Sequence, residues 1–212
     1  MKKWLLGTLL VAILLSGAVV YFLYDALGVD VFGGKEDTAE VTYSLMTEDT
    51  ERDGNTYSLR TQTAEDGSQT RELVYKELQS DGDKVVASGL TSCILGKNNL
   101  YYQRGLELHA AKLDGTDDKL LATLPEGSEM ISLTSGWMYI VVNRVKLVRV
   151  AADGSGAQND VTDLSLSGQV FATPANAEGF TFAISGDWVE IGNYKNGGFR
   201  IHADGSGERK PL

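Results

Sequence analysis

Three stretches of the sequence line up on an Asp-Gly pair, and this periodicity constrains the fold more than any other feature. The first runs from Asn99 to Leu124 around Asp114-Gly115. The second runs from Gly136 to Leu164 around Asp153-Gly154, and the third from Gly186 to Leu212 around Asp204-Gly205. Trp137 and Trp188 each stand 16 residues ahead of their aspartates, and Arg149 and Arg200 each stand four ahead. Leu100 stands 14 ahead of Asp114, so that hairpin is two residues shorter. A degenerate copy from Tyr57 to Leu73 aligns on Asp66-Gly67, and the four pairs then step by 48, 39 and 51 residues. Propeller blades recur every ~40–50 residues.

Each unit reads as strands. Apolar stretches of four to six residues, rich in β-branched and aromatic side chains, alternate with turn residues, as in Met130–Leu133, Trp137–Val142 and Thr181–Ile184. The strand from Trp137 ends at Asn143-Arg144 and turns back into Lys146–Ala151. Asp153-Gly154 then makes a tight turn, because glycine takes positive φ and the aspartate caps its own turn. A last strand closes on Leu164. A short inner strand precedes each unit, at Ser92–Leu95, Met130–Leu133 and Thr181–Ile184, giving four antiparallel strands. Proline is scarce (3 residues), as hairpins that need their N–H donors require. Such a sheet is apolar on both faces and has to stack on its neighbours.

An aromatic strand, then apolar-x-Arg, then Asp-Gly-Ser, then a terminal leucine resembles the YWTD-like β-propeller repeat of LDL-receptor-related proteins. It is still more similar to bacterial membrane-anchored proteins of unknown function built on that repeat. The residues that carry the resemblance are Gly136-Trp137-Met138-Tyr139, Leu147, Arg149 and Asp153–Gly156. Gly186-Asp187-Trp188, Arg200 and Asp204–Gly207 restate them, and Leu100-Tyr101-Tyr102 with Asp114-Gly115 does so weakly. The resemblance implies an all-β fold, a small β-propeller or partial propeller of three to four four-stranded blades. Clear units occupy 91–124, 129–164 and 180–212, and a degenerate one lies in 41–90. If the array closes, Val41–Met46 is expected to pair with an exposed edge.

Ahead of the repeats, Met1, Lys2 and Lys3 precede an apolar run of 21 residues from Trp4 to Tyr24. About 20 helical residues cross a bilayer core, so residues 1–24 read as a transmembrane anchor, with a cleaved signal peptide as the competing reading. Leu5, Leu14, Leu15 and Leu23 face lipid in this reading, and Trp4, Tyr21 and Tyr24 sit at the interfaces. The lysines keep the N-terminus in the cytoplasm and place the rest outside the plasma membrane. Residues 25–40 read as a tether. Beyond Tyr24 the chain holds 17 basic and 29 acidic residues, a net charge of −12, which repels nucleic acid.

No motif calls for a cofactor or a metal. The lone Cys93 forbids an intrachain disulfide. Gly89–Asn98 lacks phosphate-loop spacing and reads as a strand with a turn at Gly96–Asn99. Asp49-x-Glu51-x-Asp53-Gly54 opens like a calcium loop, but its twelfth position is Arg60, of the wrong charge. His109 and His202 stand five and two residues before their Asp-Gly pairs, so they are not equivalent. Arg149 and Arg200 are expected to pair with a neighbouring carboxylate or carbonyl, the competing reading being donors presented to an anionic ligand. The expectation for function is a binding module without a catalytic site, its loops at Gly105, Asn143-Arg144 and Asn193–Gly197 offered to a protein, peptide or cell-wall ligand. Two other readings are a glycan hydrolase or lyase using Glu107, Asp187 or Glu190, and a structural subunit that closes a ring by oligomerisation.

Overall fold

A computed structural model describes residues 41–67, 69–78, 82–193 and 197–212. The anchor expected over 1–24, with Trp4, Leu5, Leu14, Leu15, Tyr21, Leu23 and Tyr24, and the tether over 25–40 lie outside the described residues. Within them, no helix is long and apolar enough to cross a membrane.

The described chain is all-β, in four antiparallel sheets. The first holds β2 (Thr50–Arg52), β3 (Asn55–Thr63), β4 (Gln69–Lys76) and β5 (Asp83–Ser88). The second holds β6 (Ser92–Leu95), β7 (Asn99–Arg104), β8 (Glu107–Lys112) and β9 (Lys119–Thr123). The third holds β10 (Ser128–Thr134), β11 (Trp137–Val142), β12 (Lys146–Ala151) and β13 (Gln158–Asp163). The fourth holds β14 (Thr181–Ser185), β15 (Trp188–Asn193), β16 (Gly197–His202) and β17 (Arg209–Pro211). Strands pair in chain order in every sheet. The first and second sheets are joined by residues 89–91 and the second and third by 124–127, whereas 164–180 separates the third from the fourth. A 3-10 turn at Ser165–Ser167 opens that longer connection.

Period-two alternation fixes how the sheets stack. On β11, Met138, Ile140 and Val142 face the second sheet, meeting Tyr101, Leu108 and Leu121. Tyr139 and Val141 point the other way, onto Val189, Ile191 and Ile201 of the fourth. The second sheet is likewise two-faced, since Leu100, Tyr102 and Ala111 pack on Tyr57, Leu73 and Ala87 of the first. Three cores therefore join first to second, second to third and third to fourth. Among the described residues no core cluster joins the first sheet to the fourth.

The segment before the first sheet pairs with an inner sheet edge. β1 (Thr42–Ser44) pairs with β10, making the third sheet five-stranded, and Leu45 bridges Ile94 of β6. It stitches the inner strands of the second and third sheets, with Met46 N donating to Cys93 O at 2.9 Å. Tyr43 and Leu45 enter the core between those sheets.

In the last three sheets the Asp-Gly turn links the third strand to the fourth. Gly115, Gly154 and Gly205 have φ of 82°, 76° and 82°. Each turn sits on the outer strand of the sheet before it. A Cβ on Gly115 would lie 2.8 Å from Val86 O, one on Gly154 3.8 Å from Leu121, and one on Gly205 2.7 Å from Asp160 O. Asp66-Gly67 corrects the sequence alignment. It lies in the turn between β3 and β4, the second and third strands of the first sheet, where nothing stands within 4 Å of a Cβ built on Gly67. The connection equivalent to the other three turns runs from Lys76 to Asp83.

Two alanine substitutions separate backbone strain from docking. Gly67→Ala adds only the left-handed penalty, ~1 kcal/mol. Gly205→Ala adds the collision with Asp160 as well and is expected to cost at least ~2 kcal/mol. Thermal unfolding of the two variants checks this order.

Candidate functional site

The recurring aromatic and arginine positions form a stack. Arg149 lies over the Trp137 ring at 4.0 Å and donates from Nε to Asn159 Oδ1 at 2.8 Å. Asn159 Nδ2 passes the link on, donating to Ala203 O beside the fourth sheet's Asp204 at 2.9 Å. The carbonyl that Arg149 bonds is thus the side-chain amide oxygen of Asn159, and an aromatic face lies beneath the guanidinium. A guanidinium is weakly hydrated and flat, so it covers an indole well. On the fourth sheet Arg200 lies 5.1 Å and Lys210 Nζ 4.3 Å from the Trp188 ring, and His202 meets it edge-on.

The register pairs equivalent positions of the third and fourth sheets. Where β11 and β12 carry Tyr139, Val141 and Leu147, β15 and β16 carry Glu190, Gly192 and Gly198. The outward face of the fourth sheet accordingly carries Glu190, Arg200 and Lys210 around the Trp188 ring.

The turn aspartates act on their own loops. Asp114 Oδ1 accepts from Thr116 Oγ1 at 2.6 Å and Thr116 N at 2.9 Å. Asp153 Oδ1 accepts from Ser155 N at 2.9 Å, and Asp204 Oδ1 from Ser206 N at 2.8 Å. Hydrogen bonds from Thr116 and from Ser155 hold Asp114 and Asp153 below the ordinary carboxylate range. The Ser206 amide, then its hydroxyl and His202, hold Asp204 at about 2.

A polar cluster stands beside the core of the first two sheets. His109 stacks on Tyr102 with centroids 5.1 Å apart and planes 8° apart. Its Nδ1 lies 2.9 Å from Asp118 Oδ1 and its Nε2 3.3 Å from Glu107 Oε2. Burial first, then the Asp118 bond, pushes the Tyr102 phenol up. For Asp118 burial pulls upward, but the bonds from Tyr102 and His109 together outweigh it and hold the carboxyl low. Burial likewise pushes the Cys93 thiol up to about 12, which leaves it unreactive.

The carboxylates considered for glycan chemistry are divided between sheets. Glu107 stands on β8, whereas Asp187 and Glu190 belong to the fourth sheet. Asp49–Gly54 forms β2 and its hairpin turn, with positive φ at Asp53 and Gly54. Gly96 N donates to Asn99 O, the tight turn expected there. Of the expected binding loops, residues 194–196 lie outside the described residues. Asn143 and Arg144 take positive φ at a hairpin tip. Arg144 is a brace: its Nε donates to Phe171 O at 3.1 Å, and its guanidinium also binds Glu178 O. It thereby holds the connection 164–180, which is anchored by buried Phe171 and Phe180 and presents a fully exposed Leu166.

Between the second and third sheets a groove of about 800 Å³ opens on the outer flank. Pro125 and Val148 line it over the buried Leu124 and Val150, and Lys146, Gln158, Asn159 and Asp160 give a polar rim. Lys146 and Asp160 pair at 2.7 Å. Such a lining with a few polar groups around it suits ligand binding. Sequence reasoning missed the groove because its residues come from four strands and a connection, and Val148 and Val150 read only as strand core.

No protein-family model matches the chain, and no characterised protein is significantly similar to it in sequence.

Two outcomes follow from the stack and the turns. Arg149→Gln is expected to lose ~1–2 kcal/mol, and Arg200→Gln, on an exposed face, under ~1 kcal/mol, by thermal unfolding. The depressed turn aspartates add stability above their unfolded value of ~4 that is lost as pH falls toward 2. Replacing Asp114, Asp153 and Asp204 together by asparagine, which still accepts the turn bond, should flatten the decline in melting temperature across that interval.

Proposed function

We propose that the chain is a binding module held at the plasma membrane by its N-terminal apolar segment, with the sheets on the extracytoplasmic side. The sheets form a partial propeller-like array of four blades, in which the aligned units are repeats of one structural element. The groove between the second and third sheets is its docking place for a protein partner. The observation that carries this reading is the groove's make-up, Pro125 and Val148 over a buried apolar base with a polar rim around them, on an otherwise acidic, two-faced stack. Docking sites on blade arrays use surfaces held rigid by the frame beneath. The charges on the outward face of the fourth sheet disfavour the reading in which copies join to close a ring.

The test compares the full chain in mild detergent with a variant carrying Lys146→Glu and Gln158→Arg. These changes reverse one rim charge and fill the mouth without touching the cores. Cross-linking capture from membranes is expected to recover a partner with the natural chain and about tenfold less with the variant. Equal recovery by both removes the groove from the account. Recovery by neither removes the binding module itself.

A further inference from the structure

We infer that the inner edge of β14 is a strand-addition site for an extended segment of a protein partner. It is separate from the groove and goes beyond the docking place proposed above. The molecule contains its own template. Thr42, Tyr43 and Ser44 of β1 lie opposite Thr134, Leu133 and Ser132 of β10. Thr134 faces Trp137, and Ser132 faces Tyr139, across the β10–β11 ladder. On the fourth sheet Ser185 faces Trp188 and Ala183 faces Glu190. Ser185, Ile184 and Ala183 thus offer β14's open edge at the places where Thr134, Leu133 and Ser132 receive β1. The edge residues differ in cover. Thr134, Leu133 and Ser132 are 3%, 0% and 7% exposed, whereas Ser185 and Ala183 are exposed and Ile184 half-buried. Among the described residues β14 ends its sheet's strand order with β15 as its one ladder partner; just ahead of it Phe180 bridges Phe171, so the open part of the edge is Thr181–Ser185.

Edge strands in stable proteins carry charges, proline or bulges that deter pairing. Apart from β1, an uncharged three-residue edge continued by the Leu45 bridge to Ile94, the other sheet edges here are defended. β2 carries Glu51 and Arg52, β5 Asp83 and Lys84, β9 Lys119, β13 Asp160 and Asp163, and β17 Arg209, Lys210 and Pro211. β6 is uncharged but is covered by Leu45 and Met46. β14, Thr-Phe-Ala-Ile-Ser, has no charge, no proline and no register shift against β15. Exposed carboxylates bound it at both ends, Glu178 before it and Asp187 after it.

The occupant that fits is therefore an extended, uncharged stretch of alternating small and large side chains with a basic residue at each end, bound antiparallel. Main-chain hydrogen bonds would supply the affinity, and the flanking charges the register.

The probe is a synthetic peptide carrying the Thr42–Leu45 sequence between two lysines, added to the full chain in detergent. Anisotropy should report saturable binding, and hydrogen exchange over Thr181–Ser185 should slow by roughly tenfold or more at saturation. Methylating alternate backbone nitrogens of the peptide should abolish both signals, as should Ala183→Lys, a change confined to an exposed position. Lys146→Glu with Gln158→Arg should leave them intact, which separates this site from the groove. Absence of binding, binding without protection of 181–185, or binding indifferent to N-methylation would each overturn the inference.

Discussion

Everything in this structure follows from sheets that are apolar on both faces. A sheet with Met138 and Ile140 on one side and Tyr139 and Val141 on the other cannot present either side to water. Each fully buried side chain of this kind contributes roughly 1.5–3 kcal/mol, so a lone sheet would forfeit half its stabilisation. Stacking is the solution, and the chain order of the sheets is the order of the three cores. Only the ends of the stack escape the requirement. The fourth sheet meets its end with Glu190, Arg200 and Lys210 at the outward positions.

Stacking alone fixes neither the spacing nor the rotation between sheets; the Asp-Gly turns and a few polar links do that. Each turn sets a glycine against the preceding sheet's outer strand, closely enough at Gly115 and Gly205 that a methyl group would collide. Polar links run beside them, from Lys84 to Asp114 O at 2.7 Å and from Asn159 to Ala203 O at 2.9 Å. Gln103 adds a bolt on the inner side. It is 2% exposed, donates to Ser128 O at 3.0 Å and accepts from Met130 N at 3.2 Å. A buried amide with both ends satisfied orients two sheets without an unpaired group. The indole–guanidinium stack at Trp137 lies within the third sheet, and Asn159 carries it across to Ala203 of the fourth.

The site was less legible than the frame. Local signals gave strands and turns because alternation and glycine conformation are set by near neighbours in the chain. The turn at Asn143-Arg144 was readable, but not the use of Arg144 as a brace for residues 34 positions away. Arg149 recurs at a fixed offset, yet its indole and amide partners follow from cross-strand register. The alignment on Asp66-Gly67 went to the wrong hairpin, since Asp-Gly suits any tight turn and carries no memory of which strands it joins. The clustering of Tyr102, His109 and Asp118 could not be foreseen, because those positions meet only when three strands pair.

By itself the sequence determined the all-β character, the four-stranded units in the second to fourth sheets, the turn chemistry and the acidic surface. These depend on side-chain period, backbone freedom and charge, all of which are local or additive. The tertiary structure alone decided that residues 42–46 stitch two inner edges, that a groove opens between the second and third sheets, and that among the described residues β14 ends its sheet with β15 as its one strand partner. Those outcomes hang on which strand reaches which edge first and what room is left between packed sheets. No window of the chain contains that information.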